Sequence, residues 1–141
     1  MTVVIDTNTL LQALSAGHPL RPVLEAWFAG RLTWAVSSEV LLEYEEIIVQ
    51  RCGAARWAMF QKMHEIVEEL RPATFRRVPP TFRFRLITAD PDDDKFADAA
   101  IAAAADFVIT EDRHFDAMRG SGHKPQPITP QAFIRDVLSA L

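Results

Sequence analysis

Four separate stretches of this sequence carry acidic side chains at positions where they could act together. Asp6 directly follows the apolar run TVVI, and Asp112 lies just beyond the apolar run FVIT. A third stretch, DPDDD at residues 90–94, opens an alanine-rich segment. The fourth contributes four glutamates: Glu39, Glu43, Glu45 and Glu46. One acid after a strand is most often a helix cap, but four such stretches indicate a shared site.

Clustered carboxylates of this kind point to a hard metal ion. Carboxylates a few ångströms apart repel each other, and without a cation at least one of them takes up a proton. Oxygen ligands completed by water suit Mg²⁺ or Mn²⁺. One or two such ions can activate a water for in-line attack on a phosphodiester. The sequence has no GxSxG, Walker loop, CxxC or HExxH motif that would indicate other chemistry.

The elements that position these acids follow from the apolar runs. Runs of β-branched or aromatic residues predict strands at residues 2–6, 33–37 and 106–110, with a short one at Ile128. Apolar spacing and capping residues predict helices over 8–16, 22–29, 39–51, 54–70 and 93–104, and from Pro130 onward.

The strands are apolar on both faces and alternate with helices, which is typical of a parallel sheet covered on both sides. We therefore predict an α/β fold, a three-layer α/β/α sandwich whose central parallel sheet has about four to five strands. Ligands of such sheets bind beyond the carboxyl ends of the strands, where helices begin. All four acidic stretches are expected at that edge.

Length and composition fit one globular domain over residues 1–141. Apolar residues make up 49% and charged residues 24% of the chain, both ordinary values. The single cysteine, Cys52, cannot form an internal disulfide and favours a reducing, cytoplasmic location. The N-terminus has no basic leader, and no apolar run is long enough to cross a membrane.

The charge distribution adds a candidate substrate surface. The net charge is −4, yet residues 71–85 hold five arginines and no acid. Arg76 and Arg77 of this run, together with Arg113 and His114 after Asp112, are candidates for holding phosphates. Two phenylalanines of the run, Phe82 and Phe84, either stack on unpaired bases or pack in the core, and we favour the core.

Four segments together resemble the PIN domain, the nuclease fold of VapC-type toxins: VIDTNTLL, SSEVLLEYEEI, DPDDDKFADAAIAAAADFVITEDRHF and ITPQAFI. The resemblance extends from Val3 to Ile134. Within the PIN domains, the sequence most resembles the family of toxin–antitoxin components. It implies a Mg²⁺- or Mn²⁺-dependent endoribonuclease that hydrolyses RNA phosphodiester bonds as the toxin of a toxin–antitoxin pair. It also implies a cognate antitoxin and a homodimer as partners.

By the same resemblance, the catalytic and metal-binding acids of the family fall on Asp6, Glu43, Asp94 and Asp112. The polar residues that orient these carboxylates fall on Asn8, Ser37 and Thr110.

The residues alone leave some of these assignments open. Glu43 and Glu45 lie about equally far from the apolar stripe of their helix. Among Asp92, Asp93 and Asp94, we expect one helix cap and one metal ligand. Asp98 lies one turn beyond Asp94 and is either a further ligand or a solvated residue. Asp93 and Asp98 are therefore secondary candidates.

Two other functions fit parts of the pattern. A catalytically silent PIN-like module would bind RNA or a protein partner, although all four acid positions are filled here. A phosphatase of the haloacid-dehalogenase type would need D-x-D after the first strand. This chain has Asn8 at the second position of that motif, which removes the general acid.

Overall fold

A central sheet of five short strands organises the chain. The computed structural model describes residues 1–141. Its strands are β1 (Thr2–Ile5), β2 (Thr33–Val36), β3 (Phe75–Arg77), β4 (Phe107–Ile109) and β5 (Gln126–Ile128). All neighbouring strands are parallel, in the order β3-β2-β1-β4-β5. The predicted α/β fold with a parallel sheet is confirmed.

Six α-helices surround this sheet. They are α1 (Thr7–Leu14), α2 (Arg21–Phe28), α3 (Ser38–Cys52), α4 (Ala54–Leu70), α5 (Asp94–Ala102) and α6 (Pro130–Ala132). The last continues as a π-helical turn, Phe133–Val137, and a 3₁₀ turn, Leu138–Ala140. Further 3₁₀ turns are Pro72–Thr74, Pro91–Asp93 and Arg113–Met118. None of the helices combines the length and apolar character that crossing a membrane requires.

The burial of β1 shows that both faces of the sheet are covered. Val3, Val4 and Ile5 are at most 1% exposed, although successive strand residues point to opposite faces. The buried apolar residues form one continuous cluster. Near its centre the ring of Trp27 meets that of Trp34 edge to face, with centroids 5.0 Å apart.

The strand order creates a switch point between β1 and β4. The chain runs from β1 outward through β2 to β3, then crosses back so that β4 lies on the other side of β1. In open parallel sheets, ligands bind at such a reversal, outside the carboxyl ends of the strands. Here the backbone N–H of Asp6 donates to the carbonyl of Ile109, 3.1 Å away. The residues following β1 and β4 are therefore held side by side.

At the N-terminal ends of β1 and β4, Asp106 joins the two strands through hydrogen bonds. Its carboxylate accepts from the Thr2 backbone N–H at 2.9 Å and from Lys124 Nζ at 3.0 Å. Its own backbone N–H donates to the Thr2 carbonyl at 2.8 Å. The Thr2 N–H, followed by Lys124, holds the pKa of Asp106 below its ordinary value.

We predict that Asp106→Ala lowers the free energy of unfolding by about 1–2 kcal/mol at neutral pH. Because the pKa is depressed in the folded state, the stabilisation is present above the ordinary carboxyl pKa and is lost as pH falls through the folded value. Urea unfolding at pH 7 and at pH 3 measures this directly. Glu25→Gln, on the exposed side of α2, is the control and should change nothing. An equal loss at both pH values would contradict a role for the charge.

Candidate active site

Asp6 is the most enclosed carboxylate at the switch point. It caps α1, and its Oδ1 accepts from the Thr9 backbone N–H at 2.8 Å. Its Oδ2 accepts from the Thr110 hydroxyl. Only 7% of the residue is exposed. Burial raises the pKa of Asp6, and these two hydrogen bonds oppose the rise.

Thr110 joins the two strand ends. Its hydroxyl donates to Asp6 and accepts from the backbone N–H of Asp112 at 2.9 Å. One buried hydroxyl therefore fixes both acids that follow the strands. This is the position expected of a residue that orients the carboxylates.

A second group of acids gathers around Asp112. Its Oδ1 accepts from the His114 backbone N–H at 2.9 Å and lies 3.4 Å from His114 Nδ1. The same ring nitrogen is 3.7 Å from Asp93 Oδ2. Asp90 completes the group, since one ligand atom each from Asp90, Asp93 and His114 lie within 4.8 Å of one another.

Asp93 is the least compensated of these acids. Its Oδ2 is buried and has no hydrogen-bond partner. Burial, followed by the charges of Asp112 and Asp90, raises the pKa of Asp93 from 3.8 to about 7. Asp93, one of the two secondary candidates from the sequence, thus lies near Asp112, and Asp90 of the same DPDDD run lies beside it.

Glu43 and Glu45 point away from each other. Glu43 accepts from the Thr7 hydroxyl, next to Asp6, and its Oε1 is 3.0 Å from Lys95 Nζ. Glu45 is exposed and lines a groove between α3 and α4 with Trp57 and His64. The structure therefore brings Glu43, and not Glu45, to the switch point. Sequence reasoning missed Lys95, although a lysine directly after an acidic run is a signal for an internal ion pair.

Asp94 and Asp98 hold a loop. Asp94 Oδ1 accepts from the Ile87 backbone N–H at 2.8 Å, and Asp98 Oδ1 accepts from the Phe84 backbone N–H at 3.0 Å. Burial, followed by the charge of Asp94, raises the pKa of Asp98. These two acids line a groove with Arg83 and Lys95, and neither makes a hydrogen bond to Asp6 or Asp112.

Two residues predicted to orient the carboxylates make other contacts. Asn8 is exposed within the first turn of α1, and its Oδ1 accepts from Arg51 Nη1 at 3.4 Å. Helix α1 starts earlier than predicted because Asp6 is its cap, which turns Asn8 outward. Ser37 is buried and caps α3, accepting from the Val40 backbone N–H at 3.2 Å. It orients the helix that carries Glu43, not a carboxylate.

The arginine pair of β3 also has other partners. Arg76 donates to the carbonyl of Ala103 at 3.2 Å, at the end of α5 opposite Asp94. Arg77 pairs with Glu68 at 3.4 Å. Consecutive strand residues point to opposite faces, so the two side chains leave β3 in different directions. Arg113 is exposed and lines a shallow groove after Asp112.

The residues present fit a hard divalent cation. Their donors are carboxylate oxygens, as Mg²⁺ and Mn²⁺ prefer. The unpartnered Oδ2 of Asp93 and its raised pKa indicate a position where positive charge is missing. A cation there would replace the proton that Asp93 otherwise holds.

Comparison with known proteins identifies relatives of this arrangement. A family model described as PIN domain matches residues 2–114. The chain is similar to VapBC2 from Rickettsia felis, solved bound to a DNA fragment from its promoter, with 16% identity and a TM-score of 0.57 over 91% of this chain and 99% of that one. It is also similar to FitAB bound to an IR36 DNA fragment, with 15% identity and a TM-score of 0.55 over 91% and 94% of the two chains. Among curated protein sequences no match was found.

The electrostatics of Asp93 generate a stability prediction. Its pKa is raised, so its contribution to stability is present below the ordinary value of 3.8 and is lost as pH rises through about 7. Asp93→Asn removes the charge and leaves an amide that can donate to Asp112. In EDTA the variant should therefore melt above wild type at pH 8, by about 4 °C for each 1 kcal/mol of repulsion removed.

Thermal unfolding at pH 5 and pH 8 measures this difference, which should grow with pH. Asp92→Asn is the matched control, because Asp92 is the exposed neighbour and its side chain makes no hydrogen bond. A Tm difference independent of pH would show that Asp93 carries no uncompensated charge.

Proposed function

Since the chain belongs to the PIN domain family, we propose that it is a metal-dependent endoribonuclease. The reaction would be hydrolysis of RNA phosphodiester bonds with Mg²⁺ or Mn²⁺. The observation that carries the proposal is the convergence of Asp6, Asp93 and Asp112 at the switch point, with one buried carboxylate oxygen unpartnered. Such a cluster supports metal binding, and metal-activated water is the usual nucleophile where no protein nucleophile is present.

Five acids would hold the cation or cations. Asp6, Glu43, Asp94 and Asp112 correspond to the family pattern, and the unpartnered Oδ2 of Asp93 supports including this secondary candidate from the sequence. When bound, the metal supplies an activated water and neutralises charge on the phosphate under attack. Thr110 and the Thr9 N–H hold the Asp6 carboxylate in one orientation. Arg113 and His114 lie beside Asp112 and are proposed to contact the substrate phosphate.

We further propose that the protein is the toxin of a toxin–antitoxin pair. This rests on the resemblance to VapC-type toxins and on the likeness to VapBC2 and FitAB, each described as bound to DNA. An antitoxin partner, a homodimer and a cytoplasmic location belong to the same proposal.

The direct test is cleavage of a labelled single-stranded RNA with Mn²⁺ or Mg²⁺, compared with EDTA. Asp6→Asn and Asp94→Asn should each lower the rate by about a hundredfold or more, because each removes a charged metal ligand. Mn²⁺ binding is measured in parallel by calorimetry. No cleavage and no metal binding would favour the silent binding module. No cleavage with intact metal binding would point to a nuclease selective for another RNA.

Glu43 and Glu45 provide a matched pair of variants. Glu43→Gln should lower metal-dependent cleavage by at least about tenfold, since its carboxylate lies beside Thr7 and Lys95 at the site. Glu45→Gln, two residues away on the exposed side of α3, should leave the rate unchanged. Circular dichroism checks that both variants are folded. Equal effects of the two substitutions would remove Glu43 from the proposed site.

A further inference from the structure

A loop over residues 78–90 presents an exposed aromatic ring beside the acidic site. Phe82 is 70% exposed, which corrects the expectation that it packs in the core. Phe84 is half-buried and its ring meets that of His123, with centroids 4.9 Å apart. Phe82 is the only aromatic residue among the large exposed apolar side chains, and it lies in an arginine-rich segment. This combination of an exposed ring and neighbouring arginines, rather than exposure alone, indicates a contact surface.

The loop is held firmly on both sides of Phe82. The Val78 N–H extends the sheet by donating to the Val36 carbonyl at 2.8 Å, and the Val78 side chain is buried. Beyond Phe82, the backbone N–H groups of Phe84 and Ile87 donate to Asp98 and Asp94, and Ile87 is fully buried. Pro79 and Pro80 further restrict the backbone before the ring. The ring is therefore displayed on a pre-ordered support, which lowers the entropic cost of binding.

Positive side chains flank the ring. Arg83 has a side chain that is 73% exposed, and its Nη2 lies 3.0 Å from Glu39 Oε1. Such an exposed ion pair contributes little and exchanges readily for another anion. Arg85 is also exposed and has φ of +50°, a strained conformation held between the two anchors. A groove lined by Phe82, Arg83, Lys95 and Asp98 leads from this tip to the start of α5.

We propose that residues 81–85 bind unpaired RNA, with Phe82 stacking on a base and Arg83 contacting the adjacent phosphate. An aromatic face beside arginines is the arrangement that recognises single strands, since a base in a duplex has no free face. The inference rests on the proposed function for its choice of RNA. It adds Arg83, next to the exposed ring, to Arg76 and Arg77 as a candidate phosphate contact of the arginine run.

Fluorescence anisotropy in EDTA tests the surface without cleavage. The probes are a labelled oligouridine, an abasic ribose-phosphate strand of the same length, and a duplex. Phe82→Ala should weaken oligouridine binding about tenfold and leave the abasic strand and the duplex unchanged. Arg83→Gln should weaken binding to all three probes. It should also reduce the slope of log K against log salt concentration by about one.

Two matched variants serve as controls. Leu70→Ala removes an equally exposed apolar side chain on α4, 70% exposed. Arg135→Gln removes an arginine that is 71% exposed and paired with Asp136. Neither should alter binding.

The inference is overturned if wild type does not bind oligouridine, or if Phe82→Ala binds like wild type or weakens the abasic strand equally. Its failure is distinguishable from failure of the ribonuclease. If wild type cleaves RNA with Mn²⁺ but Phe82→Ala binds oligouridine as tightly as wild type, only the proposed RNA-binding surface is overturned. Base-dependent binding through Phe82, with neither cleavage nor Mn²⁺ binding, supports the surface and removes the enzyme.

Discussion

Burying the carboxylate of Asp6 between β1 and β4 obliges the neighbouring elements to supply hydrogen-bond donors. The first turn of α1 supplies the Thr9 N–H, and the end of β4 supplies the Thr110 hydroxyl. One residue earlier, the Ile5 carbonyl accepts from the buried hydroxyl of Tyr44, which docks α3 on the same strand end. Glu43 is adjacent to Tyr44 and is thereby set beside Thr7. The positions of Glu43, Thr9 and Thr110 thus follow from the hydrogen bonds that Ile5 and Asp6 accept at the end of β1.

The negative charges of the site are unevenly compensated, and the least compensated carboxylate is where the proposed cation would be held. Asp6 has two donors, and Glu43 has a hydroxyl and an ammonium. Asp93 has only the distant ring of His114, and a proton is the alternative to a cation. Purely structural carboxylates do not need this arrangement, as Asp106 shows at the opposite edge with its pKa lowered. The uncompensated charge at the switch point costs stability, and the proposed metal site would account for that cost.

Strand ends could be predicted from the sequence, and side-chain directions within loops could not. Asp6 and Asp112 follow apolar runs, and parallel pairing alone places them together. The choice of Glu43 over Glu45 came from the family pattern, because both residues lie about equally far from the apolar stripe of their helix. Arg76 and Arg77 lie on β3, where consecutive side chains leave on opposite faces, and their role in holding phosphates stays a prediction. The exposure of Phe82 depends on hydrogen bonds between the loop backbone and α5, which no local pattern encodes.

Two adjacent acids at the start of α5, Asp93 and Asp94, contribute to different surfaces: the acid cluster near Asp112 and the loop that carries Phe82. Consecutive helical residues point about 100° apart, so Asp93 and Asp94 cannot both face Asp112 in the same way. Asp93 turns to the sheet edge without a donor, whereas Asp94, with Asp98 one turn later, holds the loop that displays Phe82. Replacing Asp94 therefore perturbs both a metal ligand of the proposed set and the support of the RNA-binding tip. Replacing Asp93 acts on the acid cluster alone, so comparing cleavage and binding in the two variants separates these contributions.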